Sequence, residues 1–314
     1  MEFLTSPVLE GFLSASMRLA IPILLAALGG IYNERAGVLN IGMEGMMIGG
    51  ALSGFILTFY TGSTVLGIIG AVLLGAVLGL VLGYFTITLA GNQVIVGIAF
   101  NLLMLGLTSF VYRAFFAVGT QQPQVEGLKL LSIPGLENIP VAGPLLFRQT
   151  GLAYVAYLLV ILTFVAIFRT TWGLKLIAVG ESPEAAETLG IHINRMRYWS
   201  LIICGMLCAL GGAFLSIGAS SIFVDNMTAG RGYIALAILV LGRRHPIGIF
   251  GAALLFGAAD ALQLRMQIVD IQIPFQFMLM LPYLLTIIVL AVFVRRTNDP
   301  AALGKHYQRG RNDT

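Results

Sequence analysis

Asn40 and Glu44 stand one helical turn apart in the stretch NERAGVLNIGMEGMM (33–47), in a chain of 314 residues that carries only 14 acidic ones. At i and i+4 they share a helix face, where an amide and a carboxylate can hold a polar, uncharged solute. The same pair can instead hold protein, with Glu44 accepting hydrogen bonds from a neighbouring turn or pairing with Arg35 or Arg18. With a span starting near Val38, Glu44 lies about 9 Å into it at 1.5 Å per residue. An ionised group at such a depth costs about 2.5–3.5 kcal/mol near a helix centre, so something must offset it. Gly37, Gly42, Gly45, Gly49 and Gly50 weaken the helix start, and a glycine-broken entry exposes backbone groups that polar side chains can satisfy.

Further polar residues interrupt apolar runs. Asn92 and Gln93 open one run and Asn101 lies about two turns deeper, where it is the better solute-contact candidate; Asn92 reads as a helix cap. Asn226, Thr228 and Arg231 begin the polar segment DNMTAGRG, while Asp260 and Gln263 lie near the end of a later run. Arg231 could neutralise Asp225 or Asp260. Phe100, Phe110, Tyr112 and Tyr233 could stack on a flat solute, although such aromatics mostly pack or face lipid. The deep polar groups are mostly amides, which favours a neutral solute over a charged one.

Other chemistries find no residues. His192, His245 and His306 are dispersed without metal-ligand spacing, and no nucleophile sits beside a base, so an intramembrane enzyme is disfavoured. Cys204 and Cys208 read as buried thiols on one span. No GxxxxGK[ST] phosphate-cradling loop occurs. No basic-aromatic patch suggests nucleic acid.

The elements that position these groups follow from composition. Charged residues are 10% of the chain against 58% hydrophobic, with a mean hydropathy of +0.93. A soluble chain would carry about 25% charge, so the solvent of this one is lipid. The fold class is all-α, a polytopic integral membrane protein read as one domain over 1–314. Apolar windows place nine spans (eight to ten) near 12–32, 38–60, 64–89, 93–116, 151–168, 199–222, 225–242, 247–264 and 275–294. The seventh opens on polar residues and reads as broken or re-entrant. Gly75, Gly79 and Gly83, like Gly45 and Gly49, have the spacing that lets helices approach closely.

With the C-terminus cytoplasmic, twelve Lys and Arg fall inside and five outside (Arg113, Lys129, Arg148, Arg231 and Arg265), which obeys the positive-inside rule with a short N-terminus outside. The start, MEFLTSPVLEG, shows no basic region of the kind that opens a cleaved leader. An outer loop then covers 117–150, a cytoplasmic tail 295–314, and the longest inner loop between spans 169–198.

That inner loop has its own punctuation. It breaks at Gly180 and restarts with Ser182 as N-cap, Pro183 at the first helical position and Glu184 in the first turn. Gly190 ends the element as a C′ glycine, giving a two-turn helix at the membrane surface. By its composition alone it could be a simple connector.

Three segments together resemble one family. GLKLIAVGESPEAAETLGI (173–191) is similar to the coupling loop of ABC importer permeases of the branched-chain amino acid and ribose type. The family form is G-x-x-x-x-A-V-G-E-x-P-x-A-A-x-x-x-G-I, with Ser182 standing where Asn is frequent. ERAGVLNIGMEGMM and NMTAGRGYIALAILVLGRRHPIGIFGAALLFGAADAL (226–262) resemble the nucleoside and simple-sugar branch. The resemblance covers essentially the whole chain and implies a permease fold with one central pathway formed by two chains. It implies that Gly180, Glu181, Ser182, Pro183, Glu184, Ala186 and Gly190 couple to a cytoplasmic ATPase, which carries ATP and Mg; no cofactor is expected on this chain itself. It implies a second permease chain, different or identical, and an extracytoplasmic solute-binding lipoprotein in a bacterial plasma membrane. The substrate expected is a nucleoside, with a ribose-type sugar as the alternative. A passive channel or secondary transporter would work without ATP and without the 180–190 helix.

Overall fold

The computed structural model describes residues 7–116, 122–132, 134–135, 139, 141–268, 280, 284, 287–288, 291 and 299–307. Ten α-helices succeed one another: α1 (Pro7–Arg35), α2 (Met43–Thr61), α3 (Thr64–Gly83), α4 (Gln93–Phe115), α5 (Gly151–Phe168), α6 (Thr171–Glu181), α7 (Pro183–Thr188), α8 (Ile193–Ala213), α9 (Arg231–Leu241) and α10 (Pro246–Ile268). π-helical turns extend α3 over Tyr84–Thr88 and α8 over Phe214–Ser220. Among the described residues seven helices are long and apolar enough to cross a membrane, and α9 is a shorter apolar one. The ninth expected span, near 275–294, lies outside the described residues save for isolated positions, as does much of the tail.

The spans order themselves around α8 by close backbone approach. A Cβ at Gly79 would come within 3.0 Å of the Ile202 Cα, and one at Gly83 within 2.8 Å of the Tyr198 ring, so the α3 glycine row lies flat on α8. Small residues at this contact supply the attraction that water would supply in a soluble core. On the other flank, Ser216 on the extension of α8 donates to the Ala51 carbonyl of α2 at 2.8 Å. From Ala20 to Glu34, α1 is buried against α8, α9 and α10, and Ile21, Leu25, Leu28 and Ile31 are inaccessible.

Three expectations change. The second span does not begin at Val38: Gly37 takes a positive φ of 76°, residues 38–42 run without helix, and α2 starts at Met43. Glu44 therefore lies in the first turn of α2. The depth persists because Asn40 lies beside Cys204, near the middle of the 28-residue helix Ile193–Ser220. The seventh span is helical only over 11 residues. Positive φ angles at Ser221, Asn226, Ala229 and Gly230 fold 221–230 into turns that carry the start of α9 to the level of Glu44. Arg231 thus belongs at that depth, not on an outer rim. The inner loop does not break at Gly180, because α6 continues to Glu181 and Gly180 is buried where a Cβ would press to 3.0 Å from the Gly37 nitrogen. The break falls at Ser182, which leaves the helical region at φ −147° and ψ 87°, as the residue before a proline tends to do.

The segment expected as an outer loop contains a two-stranded antiparallel hairpin, β1 (Leu130–Ser132) with β2 (Arg148–Thr150), in the register Leu131 opposite Gln149.

Candidate functional site

Glu44 is 9% exposed, and each oxygen of its carboxylate has a backbone donor on another helix. Oε1 accepts from the Gly230 N–H at 2.8 Å and Oε2 from the Gly232 N–H at 2.6 Å. Gly230 is the N-cap of α9, with φ at 82°, so these are helix-terminal donors that no carbonyl of α9 can reach. The positive end of the α9 dipole adds to the attraction. Hydrogen bonds to a charged group contribute about 1.5–3 kcal/mol each, so the pair outweighs the insertion cost that the sequence posed. A Cβ at Gly232 would lie 2.6 Å from the Glu44 Cα and 2.8 Å from Oε2, so only glycine lets the two helices meet.

Asn40 and Asn101 serve the neck of α2. Asn40 Oδ1 accepts from the Gly42 N–H at 2.9 Å, an Asx turn, and its amide nitrogen lies 3.4 Å from Cys204 Sγ. Asn101 Oδ1 accepts from the Gly45 N–H at 2.8 Å, while Nδ2 donates to the Ile41 carbonyl and the Tyr233 hydroxyl, both at 2.9 Å. One amide from α4 thereby satisfies a donor and an acceptor left by the late start of α2, and fixes Tyr233 of α9. Gln93 completes the set, its Oε1 accepting from the Leu39 N–H at 2.7 Å. Asn92 caps α4 through the Val94 and Ile95 N–H groups.

Asn40, Glu44 and Asn101 are therefore brought together, all buried and all engaged with protein. Asn226 stands apart, exposed in the left-handed region at φ 58°, a conformation that asparagine tolerates better than most residues. Tyr233, 46% exposed, is the aromatic that this cluster presents at its surface. Arg231 donates to the Met227 and Thr228 carbonyls; its charge reaches Asp260 without a direct ion pair among the described residues, and Asp225 pairs instead with Arg113 at 3.4 Å.

A second cluster gathers the basic residues at the other end of α9. Arg244 pairs with Glu34 of α1, both nearly inaccessible, and with the more exposed Asp299 at 2.6 Å. Arg35 Nη2 donates to the Arg244 carbonyl at 3.2 Å. Burial acts to lower the Arg244 pKa, but the Glu34 and Asp299 carboxylates outweigh it and hold the guanidinium above the ordinary arginine value. Gln93 stands in the sequence only as a polar opening to its run, without its partner Leu39, and this ion cluster has no signature there as a unit. The rarity of acidic residues marks Glu34, but its partner is 210 positions away.

The short helix α7 follows α6 and packs against α6 and α8. Ser182 occupies its N-cap without a side-chain bond, and Pro183 starts the helix. Its end is a Schellman closure: the Gly190 N–H reaches the Glu187 carbonyl at 2.8 Å and the Ile191 N–H the Ala186 carbonyl at 3.1 Å, with Gly190 at φ 78°. Of the seven residues expected to couple, Gly180 and Ala186 face inward, Pro183 is half-buried, and Glu181, Ser182, Glu184 and Gly190 are exposed. Leu189 is 79% exposed, an apolar side chain on an otherwise polar surface. A cavity of about 330 Å³ opens beside α7, between Glu187, Gly190 and residues 191–195.

Comparison with known proteins agrees with this architecture. Residues 12–290 match the family described as branched-chain amino acid transport system / permease component. The chain is 36% identical to the guanosine ABC transporter permease protein NupQ of Bacillus subtilis, over 97% of this chain and 98% of that one. It is 38% identical to the putative glucose ABC transporter permease protein TsgC13 of Haloferax volcanii, over 95% and 98%. It is 35% identical to the nucleoside ABC transporter permease protein NupC of Lactococcus lactis, over 91% and 93%. No solved structure matches the chain. With a family match over most of its length and apolar helices to carry it, the chain belongs to the permease-component family of the branched-chain amino acid transport systems and is a multi-pass membrane protein.

Proposed function

We propose that this chain is the membrane-spanning subunit of an ATP-driven importer of nucleosides. The carrying observation is similarity, along nearly the whole chain, to permeases named for guanosine and for nucleosides. The chemistry of the interior supports a neutral solute, because Glu44 is consumed by the α9 terminus and Arg244 by two carboxylates. A sugar is the second reading, supported by the similarity to a putative glucose permease.

In this reading ATP and Mg act on a separate cytoplasmic ATPase, and the permease makes and breaks no covalent bond. A solute-binding lipoprotein delivers the nucleoside from outside, and a companion permease, a different chain, completes the pathway. The C-terminus and α7 lie on the cytoplasmic side and the N-terminus outside. The docking surface is α7, with Glu181, Ser182, Glu184 and Leu189 outward and Gly180, Pro183, Ala186 and Gly190 shaping the helix. Asn226 and the open face of Tyr233 contact solute, while Asn40, Glu44 and Asn101 hold the frame that presents Tyr233. Nucleotide and solute each favour one state of an inward–outward equilibrium.

The test is uptake of labelled guanosine, adenosine, ribose and glucose into proteoliposomes holding this chain with its ATPase and companion permease, with binding protein added outside. ATP-dependent uptake of a nucleoside above both sugars is expected, lost together with ATPase co-purification in Leu189→Asp. Preference for glucose or ribose would move the chain to the sugar reading, and uptake without ATP would overturn the importer.

A further inference from the structure

Residues 299–307 form a strap that touches α6, α7, α8, the α1–α2 neck and the exit of α9. Asp299 accepts from Arg244 Nη2 at 2.6 Å, at the exit of α9. The Ala302 N–H donates to the Gly180 carbonyl at the end of α6 at 3.0 Å, and the Gly304 N–H to the Gly37 carbonyl at 3.1 Å. The Lys305 carbonyl accepts from Nη1 of Arg197, on α8, at 3.0 Å. Tyr307 then donates its hydroxyl to the Glu187 carboxylate of α7. Within nine residues the chain ties α7 to α9.

Two features make this more than a tether. Arg197 is 3% exposed, and Nε of the same guanidinium donates to the Ala36 carbonyl at 3.3 Å, so the strap and the α1–α2 neck share one buried cation. α9 is a rigid rod about 16 Å long. Its far end is the Glu44 clamp and its near end is Arg244, with Arg243 and Arg244 both held at positive φ (53° and 51°). Two consecutive non-glycine residues in that region hold strain that surrounding contacts must maintain, and here those contacts are Glu34, Arg35 and the strap.

We propose that the 299–307 strap is a transmission element, in which Tyr307 and Asp299 are positioning residues that pass displacement of α7 to α9 and so to the Glu44 clamp at mid-membrane. This rests on α7 being the ATPase-docking helix. Hydrogen bonds and ion pairs give such coupling a physical carrier, whereas proximity alone would not.

The experiment measures guanosine taken up per ATP hydrolysed by the reconstituted importer, together with ATPase co-purification. Tyr307→Phe removes one hydroxyl and Asp299→Asn one charge. Each is expected to lower uptake per ATP by about tenfold, the size of one charge-assisted bond, with the ATPase still bound. The double variant is expected to be no worse than either single one, because the two act in series. An unchanged ratio in both single variants, or loss of ATPase binding in them, would overturn the proposal, the latter by making the strap a scaffold. Leu189→Asp serves as the separate control. If it retains bound ATPase and normal uptake, the docking assignment of α7 fails, whatever the strap variants do.

Discussion

The Oε2 atom of Glu44 lies 2.6 Å from the backbone nitrogen of Gly232, which joins the first turn of α2 to the first turn of α9 across 188 positions of sequence. Neither residue could serve elsewhere: a carboxylate is needed to accept two helix-terminal N–H groups, and a hydrogen is all that fits at the α carbon opposite it. The sharpest predictions concern this clamp.

Gly232→Ala places a methyl group 2.5 Å from the Glu44 nitrogen. Backbone cannot yield as a flexible side chain can, so α9 must shift, at a cost of about 1–3 kcal/mol for overpacking and with loss of the clamp. Thermal unfolding of the detergent-solubilised protein is expected to show a clear drop in Tm, and uptake is expected to be abolished.

Glu44→Gln keeps the shape and removes the charge. One amide nitrogen must then face a backbone N–H, so one bond is lost outright and the dipole interaction with it, about 2 kcal/mol in all. A lower Tm is expected, with apparent solute affinity altered no more than uptake as a whole. A large selective loss of affinity for guanosine with unchanged Tm would instead make Glu44 a solute ligand.

Asn101→Leu leaves the Gly45 N–H, the Ile41 carbonyl and the Tyr233 hydroxyl without their partner. Unsatisfied groups cost about 1–3 kcal/mol each where water is excluded. Strong destabilisation is expected, and Tyr233 is expected to become more accessible to a hydroxyl-modifying reagent.

Arg244→Gln removes the cation between Glu34 and Asp299. Breaking a buried pair from one side costs about 3–5 kcal/mol, because the remaining carboxylate stays buried. Poor expression of the single variant is expected. Partial recovery is expected in Arg244→Gln combined with Glu34→Gln, read by the yield of monodisperse protein.

The sequence by itself determined the solvent and much of the local structure. Apolar length fixes a membrane span because no water is available to satisfy open backbone, so α1, α3, α4, α5 and α10 were legible. α7 was legible because its signals are adjacent: proline at the start and glycine at C′, with a closure completed within five residues. Asn92 as a cap belongs to the same class. The break at Gly180 was misplaced because glycine has two uses that look alike in a sequence, turning the chain and letting backbones touch; Gly180 serves the second. The start of α2 was read five residues early because only the packed bundle supplies Gln93 and Asn101 to satisfy an extended neck.

Tertiary structure alone decided what Glu44 does. Its sequence position announces a buried charge that must be compensated, and nothing local says by what. The partner is the backbone of a helix far along the chain, which carries no side-chain signature beyond two glycines among 38. The same holds for Glu34, Arg244 and the 299–307 strap. Hydrogen bonds to main-chain atoms depend on where the chain passes, and the course of the chain is set by the packing of all the helices together.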